Sequence, residues 1–224
     1  AQTKRKNLPG EIAIETSPDR HASNIPEIMH PSNTWDYWVY LHNETMLLSD
    51  IYDGWVQYND AIIEALDSIP DEILNADLTS DKQSLARIFR HIALGRIEWL
   101  VRINAPGFDS LATRIPEWKT LPDGVRYIVT DSFPLERDSI RELLIDTAAA
   151  IDTTLKTWDT ASLGETYRHP FLGTVYAVSN QWTLMRILMH DVHHGGQLSI
   201  LLLQQGIEPL KLVWLGGHLP ESGL

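Results

Sequence analysis

The chain has 224 residues, 43% of them hydrophobic and 21% charged, ordinary values for a soluble globular protein with one core. Its 30 acidic and 18 basic side chains leave a formal charge of −12, and Lys4-Arg5-Lys6 is too short a basic run to offset it, so neither nucleic acid nor a membrane surface is expected as a partner. Cysteine is absent, which excludes disulfides, thiolate-held metals, iron–sulfur clusters and a thiol nucleophile carried by the protein.

Residues 1–43 are polar, are punctuated by Pro9, Pro18, Pro26 and Pro31, and read as an extended N-terminal arm. The first residues, Ala1 to Lys6, lack the apolar core of a signal peptide, and no apolar run approaches the roughly 20 residues a membrane span needs. The missing initiator methionine points to removal of a leading segment. A cytoplasmic protein is expected, a cleaved signal peptide being the alternative.

From about Asn43 to Ile69, Leu48, Tyr52, Trp55, Ile62, Leu66 and Ile69 recur at helical spacing, and Pro70 stops the pattern. Thr79-Ser80-Asp81 supplies capping residues for a second helix carrying Leu85, Ile88, Phe89, Ile92, Ile97 and Leu100, which ends before Pro106-Gly107. Residues 104–132 are mixed, with a short strand predicted over Val125–Val129. A third helix is predicted from about Pro134 to Trp158, its buried stripe being Leu135, Ile140, Leu143, Leu144, Ala148 and Ile151. Residues 159–178 read as a loop with another short strand near Thr174–Val178, leaving room for a short two-stranded hairpin. The fourth helix starts at Ser179, a suitable N-cap, and runs to Gln205, with Gly206 and Pro209 as stop signals. Four long helices with modest connections predict an all-α four-helix bundle over residues 44–206, followed by a tail over 207–224.

The segment Met189-His190-Asp191-Val192-His193-His194-Gly195-Gly196-Gln197 carries the chemistry. His190 and His194 are one turn apart on one helix face, a spacing that lets two imidazoles reach one metal ion. A third ligand must come from a facing helix, and His91, set among Ile88, Phe89 and Ile92, is the candidate. His193 points about 100° away from His194 and falls outside the ligand set. Gly195 and Gly196 each cost about 1 kcal/mol relative to Ala inside a helix, which implies a demand for close approach or for ligand space. The rival motif is the His-Glu-x-x-His helix of zinc proteases, but Asp191 stands where that motif has Glu.

The run Trp182–Leu198, with His190-Asp191-Val192-His193-His194-Gly195-Gly196-Gln197 inside it, resembles the last helix of the DinB/YfiT-like superfamily. Ser84–Leu100, with His91 early and Glu98-Trp99 later, resembles its second helix, and the Tyr52, Trp55 and Leu66 region more loosely resembles its first. The resemblance spans roughly residues 44–206. It implies an up-down-down-up four-helix bundle with one long crossover, and a divalent metal held by His91, His190 and His194. Zinc or nickel is the expected ion, with iron or manganese as alternatives, since imidazole suits them all. Gly195 stands where relatives commonly have Arg, so no role passes to that position.

Relatives in this family include transferases and isomerases that use a low-molecular-weight thiol, and the resemblance implies a metal-dependent enzyme of that S-transferase or isomerase type acting on a small-molecule substrate. The alternatives are a metal-dependent hydrolase and a non-catalytic, metal-stabilised, stress-related binding protein. Helical geometry adds two candidate catalytic residues. Arg186, one turn before His190, is a candidate carboxylate anchor. Glu98, two turns after His91, is a candidate acceptor for an imidazole N–H or a general base. Gln197 lies near the same face. Trp38, Trp55, Trp99 and Trp182 are expected in the core or a pocket wall, and a homodimer paired through helix faces is expected.

Overall fold

The computed structural model of the protein describes residues 47–79 and 82–211. The N-terminal arm of residues 1–43, with Trp38, lies outside the described residues. So do Ser80, Asp81 and the tail beyond residue 211, with His218.

A turn of helix, α1 (Leu48–Ile51), precedes α2 (Asp53–Ser68), and α3 (Asp71–Leu74) follows Pro70. Next come α4 (Leu85–Leu100), α5 (Phe108–Ala112) and an antiparallel hairpin of β1 (Trp118–Thr120) and β2 (Arg126–Ile128). Then α6 (Arg137–Thr157) and α7 (Thr160–Gly164) lead to a second antiparallel hairpin, β3 (Thr166–Phe171) with β4 (Thr174–Ser179), and to α8 (Asn180–Gln204).

Cross-helix contacts fix the directions of the four long helices. Arg141 at the start of α6 pairs with Asp67 at the end of α2 at 2.9 Å, so α2 and α6 are antiparallel. Arg90 of α4 donates to the Phe133 carbonyl just before α6, and Arg96 donates to Thr147 further along it, so α4 and α6 run the same way. Trp99 and His91 of α4 meet Trp182 and His194 of α8 respectively, an antiparallel pair. The result is an up-down-down-up bundle. The crossover that two parallel neighbours require occupies residues 101–136 and carries α5 and the first hairpin.

The interior is lined by Leu85, Phe89, Ile92, Ile97 and Leu100 of α4, with Ile62 and Leu66, Ile140 and Leu144, and Leu184, Ile187 and Leu198 from the other three long helices. A polar knot runs through this core. Arg96 and Asp191 are both 0% exposed. Asp191 Oδ2 accepts from Arg96 Nε at 2.9 Å and from Trp55 Nε1 at 2.8 Å. Arg96 donates onward to Asn59 Oδ1 at 2.8 Å and to Thr147 Oγ1 at 3.2 Å. The charge pair thereby takes hydrogen bonds from or gives them to all four long helices, as a buried ion pair must to offset its lost hydration.

Three expected details change. The first helix is interrupted at Tyr52 (φ −105°, ψ 16°), and the short α1 is closed by the Asp50 carboxylate accepting the Leu47 N–H at 2.9 Å. The cap of α4 is Ser84, which accepts from the Arg87 N–H at 3.3 Å, whereas Thr79 Oγ1 accepts the Gln83 N–H at 3.0 Å and closes the preceding turn. Two hairpins form instead of one, each candidate strand pairing with a local partner. The second turns at Leu172 and Gly173, both at positive φ (48° and 78°), the backbone a two-residue hairpin loop demands. Beyond α8, Leu210 returns to the core at 7% exposure. Among the described residues no helix is long and apolar enough to cross a membrane.

Candidate metal centre

The antiparallel packing of α4 on α8 brings His91, His190 and His194 together at the edge of the bundle. One ring nitrogen from each lies within 4.8 Å of the others. The Nε2 atoms of His91 and His190 are 3.1 Å apart. Two imidazole nitrogens sharing one ion at about 2.0–2.1 Å end up at a similar separation. The three ring centroids are 4.4–4.9 Å apart.

Polar side chains stand behind two of the rings. His194 Nδ1 faces Gln197 Oε1 at 2.7 Å. The amide oxygen can only accept, so Nδ1 carries the proton and Nε2 keeps its lone pair. His190 Nδ1 is buried without a hydrogen bond, and so is Asp191 Oδ1, which lies 3.6 Å from it. A small closure of that gap would give the carboxylate–imidazole pair that commonly orients a metal-binding histidine. Gly95 makes the space for the His190 ring. A Cβ there would lie 2.7 Å from His190 Cε1 and 3.2 Å from Nε2.

The electrostatics favour uncharged donors. Burial pushes the His91 pKa down to about 4, with help from His194, His190 and Arg90. His194 is lowered as well, by burial first and then by His190 and His193, against an opposing pull from Gln197 and Asp191. Three converging imidazoles, a ring cradle that a Cβ would fill and an orphaned Nδ1 beside a carboxylate fit a divalent ion of intermediate softness.

The structure separates the other candidates. Glu98 is turned away from the histidines: Oε1 accepts from Arg102 at 2.8 Å and Oε2 from the Ile128 N–H at 3.0 Å. It anchors the first hairpin on α4 and takes no imidazole proton. Arg186 sits one turn before His190 but is stacked over Trp99, 4.5 Å from its ring centroid. Asp191 faces the core, engaged by Arg96 and Trp55, which removes it from the general-base position of a protease helix. His193 is exposed and accepts from Gln197 Nε2 at 3.3 Å. Trp55 is core, whereas Trp99 is half-buried and Trp182 is 46% exposed.

Sequence reasoning missed Gly95, Arg96 and the inward role of Asp191. The signal for the charge pair was present. Arg96 lies between Ile92 and Leu100 on the buried stripe of α4, and Asp191 lies four residues after Ile187 on that of α8. Two opposite charges on two apolar stripes must meet or remain unpaired. Of the two glycines singled out, Gly195 answers a steric demand, since a Cβ would lie 1.8 Å from Tyr58 Oη. Gly196 faces open space among the described residues. The Tyr58 hydroxyl donates to the Asp191 carbonyl at 3.3 Å. Burial and Asp191 push its pKa up to about 12, so it stays a neutral donor.

Comparison with curated proteins gives no match. Among solved structures, a DinB-like protein from Bacillus cereus is similar at 19% identity and a TM-score of 0.49, over 70% of this chain and 91% of that one. The family model for the DinB superfamily matches residues 55–198, from Trp55 through the three histidines. With that match over more than half of its 224 residues, the chain belongs to the DinB superfamily.

Proposed function

We propose that the protein binds a divalent transition-metal ion through His91, His190 and His194 and works as a metal-dependent enzyme, transferring a small-molecule thiol to a second substrate or isomerising a substrate with its aid. The observation that carries this reading is an open donor set. Three imidazole nitrogens converge at the bundle edge, and His91 and His194 also line a cavity of about 580 Å³ with Arg87, Asp131 and Gln197. A purely structural site is closed by protein ligands, whereas three protein ligands beside a cavity leave room for a reactant.

A bound divalent ion would supply one piece of chemistry, a lowered pKa for a coordinated thiol or water. The protein's own contribution is to hold the three imidazoles in place. Gln197 fixes the tautomer of His194, Asp191 stands behind His190, and Gly95 leaves space for the ring. The chain has no cysteine, so a thiol used there must be a small molecule. Two cavities reach the cluster: the polar one at His91 and His194, and a shallower depression at His190 and His193. Two entrances suit a two-substrate reaction.

The test is elemental analysis of the purified chain beside a His190→Ala/His194→Ala variant. Near-stoichiometric transition metal is expected in the unaltered protein, with loss of nearly all of it in the variant. Absence of metal after incubation with zinc and nickel salts would refute the site. If metal is bound, turnover of electrophilic substrates that requires an added small-molecule thiol and stops on chelation is the expected activity, with the thiol consumed in a transfer and returned in an isomerisation. A metal-loaded protein whose turnover is the same with and without thiol overturns the thiol reading.

A further inference from the structure

A third cavity, of about 850 Å³, lies between the two hairpins and the start of α8. Its walls are mainly apolar and include four aromatic rings, Trp99, Phe171, Tyr176 and Trp182, with Arg186 and His169 at its side. Trp99 stands against two guanidiniums: Arg102 Cζ is 4.4 Å and Arg186 Cζ 4.5 Å from its ring centroid. Arg186 also lies 5.5 Å from the centroid of Trp182. Stacking of this kind fixes the plane of a guanidinium while leaving its N–H edge available.

The two arginines differ in what that edge does. Arg102 is held by Glu98 and by the Arg126 carbonyl, both at 2.8 Å. Arg186 forms no hydrogen bond or ion pair among the described residues, although the chain carries a net charge of −12. One acid, Asp123, stands in the cavity wall on the turn of the first hairpin, where its carboxylate accepts the Val125 N–H at 3.1 Å. An oriented, unpaired guanidinium against aromatic walls is the complement of a flat anion.

Trp182 and Arg186 are also shared with the depression formed by Met185, Met189, His190 and His193. A ligand held by Arg186 therefore lies about one helical turn from His190.

We infer that this cavity binds a small organic carboxylate with an aromatic or flat apolar body, its carboxylate on Arg186 and its body against Trp99 and Trp182. The inference names the substrate class of the proposed metal centre. Its role as a substrate site rests on that reading, but the binding itself does not require the ion.

The full chain, stripped of metal with a chelator, is titrated calorimetrically with 2-naphthoate, 2-naphthamide and acetate. Naphthoate is expected to bind saturably, the neutral amide about tenfold more weakly or less, and acetate not measurably, since it lacks the apolar body. Arg186→Gln should cost naphthoate about tenfold and erase its preference over the amide. Trp182→Leu should weaken both naphthyl ligands. Arg186 is exposed and forms no hydrogen bond or ion pair among the described residues, its contacts being the faces of Trp99 and Trp182, so the melting temperature of Arg186→Gln should change by no more than a few degrees. No saturable naphthoate binding, equal affinity for acid and amide, or an Arg186→Gln protein that binds naphthoate as before would overturn the inference. Because these titrations are metal-free, a chain that holds stoichiometric metal but no naphthoate refutes the cavity alone. One that binds naphthoate but no metal refutes the centre alone.

Discussion

Gly95 decides whether His190 can reach its neighbours. A Cβ at that position would stand 2.7 Å from His190 Cε1, closer than a carbon contact allows, and what yields is a side-chain ring. Gly95→Ala should therefore separate two properties that usually move together. The helix gains about 1 kcal/mol of propensity, so thermal stability should hold or rise, while the displaced imidazole loses its place opposite His91 and metal affinity falls at least tenfold. Elemental analysis and a melting curve on the same sample check both. A variant that keeps full metal content would show the ring position to be unimportant. The sequence displays Gly95 as plainly as Gly195, but a glycine in a helix does not announce which neighbour needs the room. For Gly195 that neighbour is Tyr58, and its demand is packing, not ligation.

At the scale of elements, the long helices were legible because their apolar stripes are long and end in strong signals: Pro70 after α2, Ser179 before α8, Gly206 after it. Of each hairpin only one strand was legible, Val125–Val129 and Thr174–Val178 marking β2 and β4, while β1 and β3 were not. The strands are three to six residues long, and the tighter turn uses Leu172 where Asn or Asp would have marked it. The His pair was legible from its four-residue spacing, whereas its union with His91 required knowing that α4 and α8 lie side by side. Behind that contact sits the Arg96–Asp191 pair, both partners 0% exposed. Arg96→Met would leave the Asp191 carboxylate buried without its cation, and such a break typically costs about 3–5 kcal/mol. Urea denaturation should show that loss in Arg96→Met. Arg87→Met, whose partner Asp131 is exposed, should change stability by under about 1 kcal/mol. Equal effects in the two variants would mean that the knot is no more than a surface pair in energetic terms. Since Asp191 is adjacent to His190, the same substitution tests whether the core positions the metal ligands: weaker metal binding in a still-folded Arg96→Met protein is the expected sign.

For the whole molecule, the decisive relation is between the site and the core that carries it. The three histidines lie at the bundle edge, while the interior closes beneath them through Leu85–Leu100, Leu184, Ile187 and the buried charge pair without using an imidazole. A fold organised in this way does not need an ion to exist, unlike a small zinc module whose core is the metal. Chelation should therefore leave the far-ultraviolet circular dichroism of the helices in place. What should disappear is the extra stability that any ligand gives to the state it binds, about 2.7 kcal/mol when free metal stands at a hundred times its dissociation constant. For a chain of this size that corresponds to a fall in melting temperature of roughly 5–10 °C, reversed by adding the metal back. Collapse of the helical signal on chelation would make the ion part of the scaffold and favour a metal-stabilised binding protein. Retention of the fold with loss of thiol-dependent turnover would place the ion where an enzyme keeps it, at the edge of a framework that stands without it.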